Sequence, residues 1–225
     1  MKKALLALAL LSAGFTLGHA QIIISEVDSA GSGSSYGADW FELTNTGSSA
    51  VNISGWRMDD DSDSFGSGVA LSLAGNVINP GQSVVFIETT DVALSTSLPA
   101  FEAAWFPSGV PSNFTVGTYG GSKVGLSQSG DQVNIFNASG THITGVSFGA
   151  PVGSATFDNT AGLSGAISTP SVAGVNDAVT ARNGEIGSPG VDAAVVPEPS
   201  TYALLVGGLL ALVGIQMRRR SVSNL

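Results

Sequence analysis

The apolar residues in the central part of the chain occur in short runs, and this pattern limits the possible folds more than any other feature. Runs of about six residues, among them IIISEV, DWFELTN and QSVVFIE, are separated by glycine, proline or asparagine, and almost none has a helical period. Within DWFELTN, Phe41 and Leu43 share one face of a strand, while Trp40, Glu42 and Thr44 share the other. Six or more strands of this kind predict an all-β fold, either a sandwich or a barrel.

The C-terminal end has a different character. Pro197, Glu198 and Pro199 precede an uncharged apolar run at 200–217, which is followed by Arg218, Arg219 and Arg220. As a helix, this run would rise roughly 27 Å, close to the thickness of the hydrocarbon core of a bilayer. Because arginines beside a membrane segment resist translocation, we predict a transmembrane helix at 200–217 and a basic cytoplasmic tail at 218–225.

The N-terminal end has the pattern of a secretory signal peptide. Residues 1–20 contain two lysines, a short apolar stretch, and the small residues Gly18 and Ala20 before the expected cleavage point. Both ends therefore predict export of the part between them. We expect a folded domain at 21–190 and a linker at 191–199, which contains the Pro-Glu-Pro motif.

Charge and cysteine content narrow the classes of partner. Residues 21–196 contain sixteen acidic and three basic side chains, which gives a net charge of −13. A surface of this kind repels nucleic acids and anionic lipid headgroups, and suits divalent cations or neutral sugars better. The chain has no cysteine, so disulfides cannot stabilise the exported domain.

The order of Pro-Glu-Pro, a short apolar helix and an arginine cluster resembles the PEP-CTERM sorting signal. The resemblance implies recognition by an exosortase-type membrane protease in a Gram-negative envelope. It also implies that the protein is anchored in the inner membrane at first, then processed and delivered to the cell surface or the medium. Bacteria with such signals often make exopolysaccharide, which would be a further partner. The resemblance concerns the destination of the protein and implies nothing about its activity.

The central part is similar to the lamin-tail domain, an antiparallel β-sandwich of the immunoglobulin-like type. The residues that carry the resemblance are Ile24-Ser25-Glu26, Trp40-Phe41-Glu42-Leu43 with Asn45, Ser54-Gly55-Trp56, Pro80-Gly81, the GDQVNIFNASG hairpin and GSPG at 187–190. The segment 91–125 departs from the family pattern, and we expect a short helix there between Pro99 and Pro107.

Alternation within the strands predicts which side chains form the core of this domain. Residues two apart on a strand point to the same face. We therefore expect one apolar interior that contains Phe41, Leu43, Ile53, Trp56, Val85 and Ile87.

The acidic segment MDDDSDSFGSG (58–68) is the clearest candidate for a metal site. Asp59, Asp61 and Asp63 have the spacing that opens an EF-hand loop, but Ser64 and Ala70 stand where that loop needs glycine and glutamate. Two interpretations stay open: a looser Ca²⁺ site, and a solvated acidic loop that binds no metal. We expect no other cofactor.

The remaining candidates favour a protein that is not an enzyme. Trp40 is either a sugar-stacking platform or a core residue. His142, the one histidine of 21–196, is interpreted as a surface residue of a hairpin rather than as part of a catalytic triad. A structural role is favoured for Glu26 and Glu42, which lie on neighbouring strands. We therefore expect an exported cell-surface or matrix protein with a binding or structural sandwich. The alternatives are a Ca²⁺-assisted glycan-binding adhesin and a hydrolase, either a nuclease or a phosphoesterase.

Overall fold

The computed structural model describes residues 22–120 and 124–192. Within these two ranges, no helix is long and apolar enough to cross a membrane. Several predicted features lie outside the described residues: the signal peptide at 1–20, the Pro-Glu-Pro motif at 197–199, the transmembrane helix at 200–217 and the basic tail at 218–225.

Strands dominate the described part of the chain, as the short apolar runs predict. The strands are β1 (Ile22–Asp28), β2 (Trp40–Asn45), β3 (Val51–Asn52), β4 (Arg57–Asp59), β5 (Val69–Ser72), β6 (Val77–Ile78), β7 (Ser83–Glu88), β8 (Val116–Tyr119), β9 (Asp131–Phe136), β10 (His142–Phe148), β11 (Phe157–Asp158), β12 (Gly165–Ile167), β13 (Val179–Thr180) and β14 (Ile186–Gly187). One α-helix, α1 (Asp91–Trp105), and two short 3-10 helices, Gly31–Gly33 and Ala74–Asn76, complete the described elements.

Ten strands form one sheet in the order β11-β1-β2-β7-β8-β5-β4-β9-β10-β12. The pairs β7–β8 and β10–β12 are parallel, and the other pairs of this sheet are antiparallel. Its two halves enclose one core, because Ile24 and Phe41 from the first half pack in the same cluster as Met58 and Ile135 from the second. The fold is therefore mostly β and consistent with the predicted sandwich.

The main core contains four of the six predicted interior residues. Phe41, Leu43 and Ile53 are completely buried, and Trp56 is 7% exposed. The predicted hairpin of β9 and β10 is also confirmed, with the turn closed by the bond from Gly140 N–H to the Asn137 carbonyl oxygen.

The prediction was wrong for Val85 and Ile87. In the register of β2 and β7, Phe41 pairs with Phe86 and Leu43 with Val84, so Val84 and Phe86 join the main core. Val85 and Ile87 point to the opposite face of the sheet, where they form a second core. The run from Val84 to Ile87 is apolar on both faces because both faces of β7 are covered.

Helix α1 covers that opposite face. Thr90 caps its first turn by accepting a hydrogen bond from Ala93 N–H at 3.3 Å. Phe101, Ala104 and Trp105 then pack in the second core. The predicted end before Pro107 is confirmed, but the helix begins at Asp91 and Pro99 lies inside it. A proline inside a helix removes one backbone donor, and packing of the following apolar turn compensates for that loss here.

Candidate functional site

Trp40 belongs to the second core and has no surface available for a ligand. Its side chain is completely buried, and its ring meets the rings of Trp105 and Phe101 edge-on at 5.9 and 6.0 Å. Its indole N–H donates to the Tyr36 hydroxyl at 3.3 Å. Of the two interpretations of Trp40 that stayed open, the structure supports the core residue, because helix α1 covers the face that a sugar would need.

Glu26 and Glu42 lie opposite each other on β1 and β2, and both are buried. The Glu26 carboxylate accepts hydrogen bonds from Ser188 N–H at 2.9 and 3.1 Å, from Ser188 Oγ at 2.9 Å, and from Thr156 Oγ1. Glu42 accepts from Gly190 N–H at 2.6 Å and from Ser25 Oγ at 2.7 Å. We call this pair the glutamate clamp, because it binds the chain at 188–190.

Burial changes the acidity of the clamp. Desolvation raises the pKa of Glu26 to about 7, against the hydrogen bonds from Thr156 and Ser188, which favour the carboxylate. Desolvation and the neighbouring Glu26 raise the pKa of Glu42 to about 8. Both carboxyl groups are buried and hydrogen-bonded to other residues of the domain. They therefore link β1 and β2 to the C-terminal segment. They do not form the accessible carboxylate pair that a glycosidase needs.

The C-terminal segment stays attached beyond Gly190. Ser83 Oγ donates to the Val191 carbonyl oxygen at 2.7 Å, and Ser83 N–H donates to Asp192 Oδ1 at 3.0 Å. Asn113 Nδ2 donates to Asp192 Oδ2 at 2.8 Å. We call residues 188–192 the strap. Although a linker is predicted from 191, Val191 and Asp192 are held against the domain.

A second group of buried acids surrounds Tyr36. The Tyr36 hydroxyl lies 2.9 Å from Asp28 Oδ2 and 2.7 Å from Glu185 Oε2. A hydroxyl carries one proton, so it donates to one carboxyl group while the other must supply its own proton. Desolvation raises the pKa of Asp28 to about 7, so Asp28 holds a proton more readily than an ordinary aspartate does.

The acidic loop does not assemble the predicted metal site. Asp59 is buried, and its Oδ2 accepts from Ser62 Oγ at 2.6 Å and from Ser64 N–H at 2.7 Å. Asp61 and Asp63 are exposed on the same loop. No group of three histidine or acidic side chains within the described ranges is arranged to hold a metal ion. The geometry therefore favours a structural role for Asp59, as the residue that shapes the loop.

Asp63 instead lines a surface pocket of about 320 Å³. The pocket lies between the acidic loop, the outer faces of β9 and β10, and the start of β12. The polar residues that line it are Asp63, Gln132, Asn134, His142, Thr144, Ser147 and Ser164. This volume is at the lower end of the range for small-ligand sites, roughly 300–1,000 Å³.

The sequence contains a signal for part of this pocket that the prediction did not use. In DQVNIF, Gln132 and Asn134 alternate with apolar residues, so both point away from the core. Nothing in the sequence places Asp63 beside these strands, because the loop and β9 are brought together by the pairing of β4 with β9.

Comparison with known proteins agrees with the two resemblances. The model of the Lamin Tail Domain matches residues 17–150, and the model of the PEP-CTERM protein-sorting motif matches residues 195–220. No curated protein and no solved structure matches the chain significantly.

Proposed function

Because this chain belongs to the lamin-tail-domain family and ends in a PEP-CTERM sorting motif, we propose that it is an exosortase substrate whose domain acts at the cell surface. The domain, an immunoglobulin-like sandwich, binds or organises extracellular material and is not an enzyme. A hydrophobic helix at 200–217 anchors the exported protein in the inner membrane of a Gram-negative envelope until the tail is removed.

The position of the sorting motif relative to the domain carries this proposal. The strap fixes the chain to the domain as far as Asp192, and the match to the sorting motif begins three residues later, at 195. A folded domain followed directly by a sorting signal is the arrangement expected of a protein that is exported and then processed at its C-terminal end.

Replacing Pro197, Glu198 and Pro199 together with alanine tests the sorting role. We expect the variant to accumulate at full length in the membrane fraction of an exosortase-containing host, while the wild-type chain is shortened and reaches the surface or medium. The control is a variant with both Ala193→Ser and Ala194→Ser, two positions that lie just before the sorting motif. This control should be processed normally. A Pro-Glu-Pro variant that is processed like the wild type would disprove the sorting proposal.

The non-enzymatic role rests on the surroundings of the candidate catalytic groups. The carboxylates of the glutamate clamp are bonded inside the domain, and His142 Nε2 has Asn134 Oδ1 at 3.2 Å and Asp63 Oδ1 at 3.7 Å as neighbours. Bis(p-nitrophenyl) phosphate is a suitable probe for a phosphoesterase. Hydrolysis by the wild type that His142→Ala abolishes would contradict the proposal.

A further inference from the structure

The pocket beside Asp63 is built around a glycine that gives two side chains room to meet. Gly145 on β10 pairs with Asn134 on β9. A Cβ atom at Gly145 would overlap Asn134 Oδ1 and lie 2.8 Å from His142 Nε2. Because glycine has no Cβ, the Asn134 amide and the His142 ring lie together over the strand and form one wall of the pocket.

Hydrogen bonds fix the orientation of that wall. Asn134 Nδ2 donates to the Asp60 carbonyl oxygen at 2.8 Å and to Gln132 Oε1 at 3.3 Å. Its Oδ1 therefore faces His142 Nε2, which donates to it at 3.2 Å. The ring of His142 also meets the Phe136 ring edge-on at 5.2 Å. Polar groups held in this way need little reordering when a ligand binds.

The chemistry of the lining selects an uncharged polar ligand. Among the lining residues, Asp63 is the one carboxylate, and no lysine or arginine is present to bind an anion. The hydroxyls of Ser147 and Ser164 can each donate and accept a hydrogen bond, and so can the Gln132 amide. Ile143, which is half-buried and also packs against the main core, adds an apolar surface.

We propose that this pocket binds a neutral, polyhydroxylated ligand such as a sugar unit of a glycan. Asp63 accepts hydrogen bonds from ligand hydroxyls, the amide and serine groups pair with the others, and Ile143 contacts the C–H face of the ring. The acidic surface of the domain repels uronic acids and other anionic sugars. The proposal rests on the proposed function and deepens it, because it names the class of material that the domain binds.

An array of neutral, uronic-acid and amino-sugar oligosaccharides tests the ligand class. The full-length chain is used in a detergent without a sugar headgroup, because such a headgroup would compete for the pocket. We expect binding to neutral glycans, with the tightest one then measured by calorimetry. Binding to none of the neutral glycans, or stronger binding to uronic acids, would overturn the proposal.

Two matched variants test the position of the site. Asp63 has a φ of 44°, a conformation that asparagine tolerates, so Asp63→Asn removes the charge without backbone strain. Asp61→Asn makes the same change on the same loop, outside the pocket lining. We expect Asp63→Asn to weaken binding at least tenfold and Asp61→Asn to leave it unchanged. Equal affinities for both variants and the wild type would place the ligand elsewhere and overturn the proposal.

His142→Phe provides an independent second variant. It keeps a ring against Phe136 and removes both ring nitrogens, so we expect weaker binding without a large loss of thermal stability. If His142→Phe bound the neutral glycan as tightly as the wild type, the wall formed by Asn134 and His142 would have no role in binding. Processing of the Pro-Glu-Pro motif is measured without any glycan, so failure of the glycan proposal and failure of the sorting proposal are separate results.

Discussion

Glu26 and Glu42 face each other across β1 and β2, and their buried carboxylates bind two backbone N–H groups of one segment, those of Ser188 and Gly190. Like-charged groups directly opposite each other in a sheet repel when both are ionised. Burial raises the pKa of both groups, and the neighbouring Glu26 raises that of Glu42 further. The attachment of the strap therefore depends on the protonation of the clamp.

Stability should fall as the pH rises. A carboxyl group whose pKa is higher in the folded state than in the unfolded state stabilises the fold fully below the unfolded value of 4.5. That contribution is lost as the pH rises through about 7 for Glu26 and about 8 for Glu42. We expect the free energy of unfolding, measured with urea, to decrease by at least about 1 kcal/mol between pH 5 and pH 8. Glu42→Gln should make this dependence shallower, and a wild-type stability that increases over this range would contradict the assignment.

The contribution of the strap to stability can be tested by comparing two glycines that both have a positive φ. Gly190 has a φ of 76° and Gly174 a φ of 83°, so alanine is strained at both positions. A Cβ at Gly190 would lie 2.5 Å from the Phe114 ring, whereas a Cβ at Gly174 has no atom within 4 Å. We expect Gly190→Ala to lower the free energy of unfolding by at least about 1 kcal/mol more than Gly174→Ala. Faster hydrogen exchange at Ser188 N–H should accompany it, and equal losses would show that the strap adds little to stability.

Trp56→Ala should be among the most damaging single substitutions in the main core. Truncation of a buried aromatic side chain costs about 3–5 kcal/mol, and this domain has no disulfide to offset the loss. We expect a large decrease in the urea midpoint or the loss of a cooperative transition. Asp61→Ala on the exposed loop is the control and should change little. A Trp56→Ala variant as stable as the wild type would contradict the core assignment.

Asp59→Ala should destabilise the acidic loop. The substitution leaves Ser64 N–H and Ser62 Oγ without the acceptor that orders the loop. A typical intramolecular hydrogen bond contributes about 0.5–1.5 kcal/mol and two are lost, so we expect a loss of about 1–3 kcal/mol in urea unfolding. Asp61→Ala again provides the comparison, since it removes the same group from an exposed position. Equal free energies of unfolding for Asp59→Ala and Asp61→Ala would contradict the structural role of Asp59.

Calcium should have little effect on the melting temperature of the full-length chain. Because Asp59 is turned towards Ser62 and Ser64 while Asp61 and Asp63 are exposed, their carboxylates do not converge on one point. We expect the same melting temperature with excess Ca²⁺ and with EDTA. A rise of several degrees that Asp61→Ala and Asp63→Ala together remove would restore the predicted site.

Alternation along strands was sufficient to predict the longer strands and four residues of the main core, because each strand's own residues carry that information. The choice between the two faces of β7 was not available from its sequence, since Val84 and Val85 are equally apolar. It depends on the register with β2 and on the helix that packs over Trp40. Glu42 lies on the same face of β2 as Trp40 and is buried there, with its carboxylate bonded to Gly190 of the strap.

The candidate site was predictable only in fragments. Asp63 and His142 were both recognised, but as a metal ligand and as a surface histidine, and their proximity results from tertiary contacts. The Tyr36 network is still less local, because Glu185 lies 149 residues from Tyr36 along the chain. Interactions between such distant residues leave no periodic pattern in a sequence.

The fixed strap limits how far the sorting motif can extend from the domain. From Asp192 to Pro197 there are five residue steps, and a fully extended chain spans at most about 18 Å over that length. If the proposed exosortase cuts beside Pro197, its active site therefore lies within about this distance of Asp192. A deep, narrow active-site cleft would collide with the domain. The recognition groove of the processing enzyme is accordingly expected to be shallow or open towards its cargo.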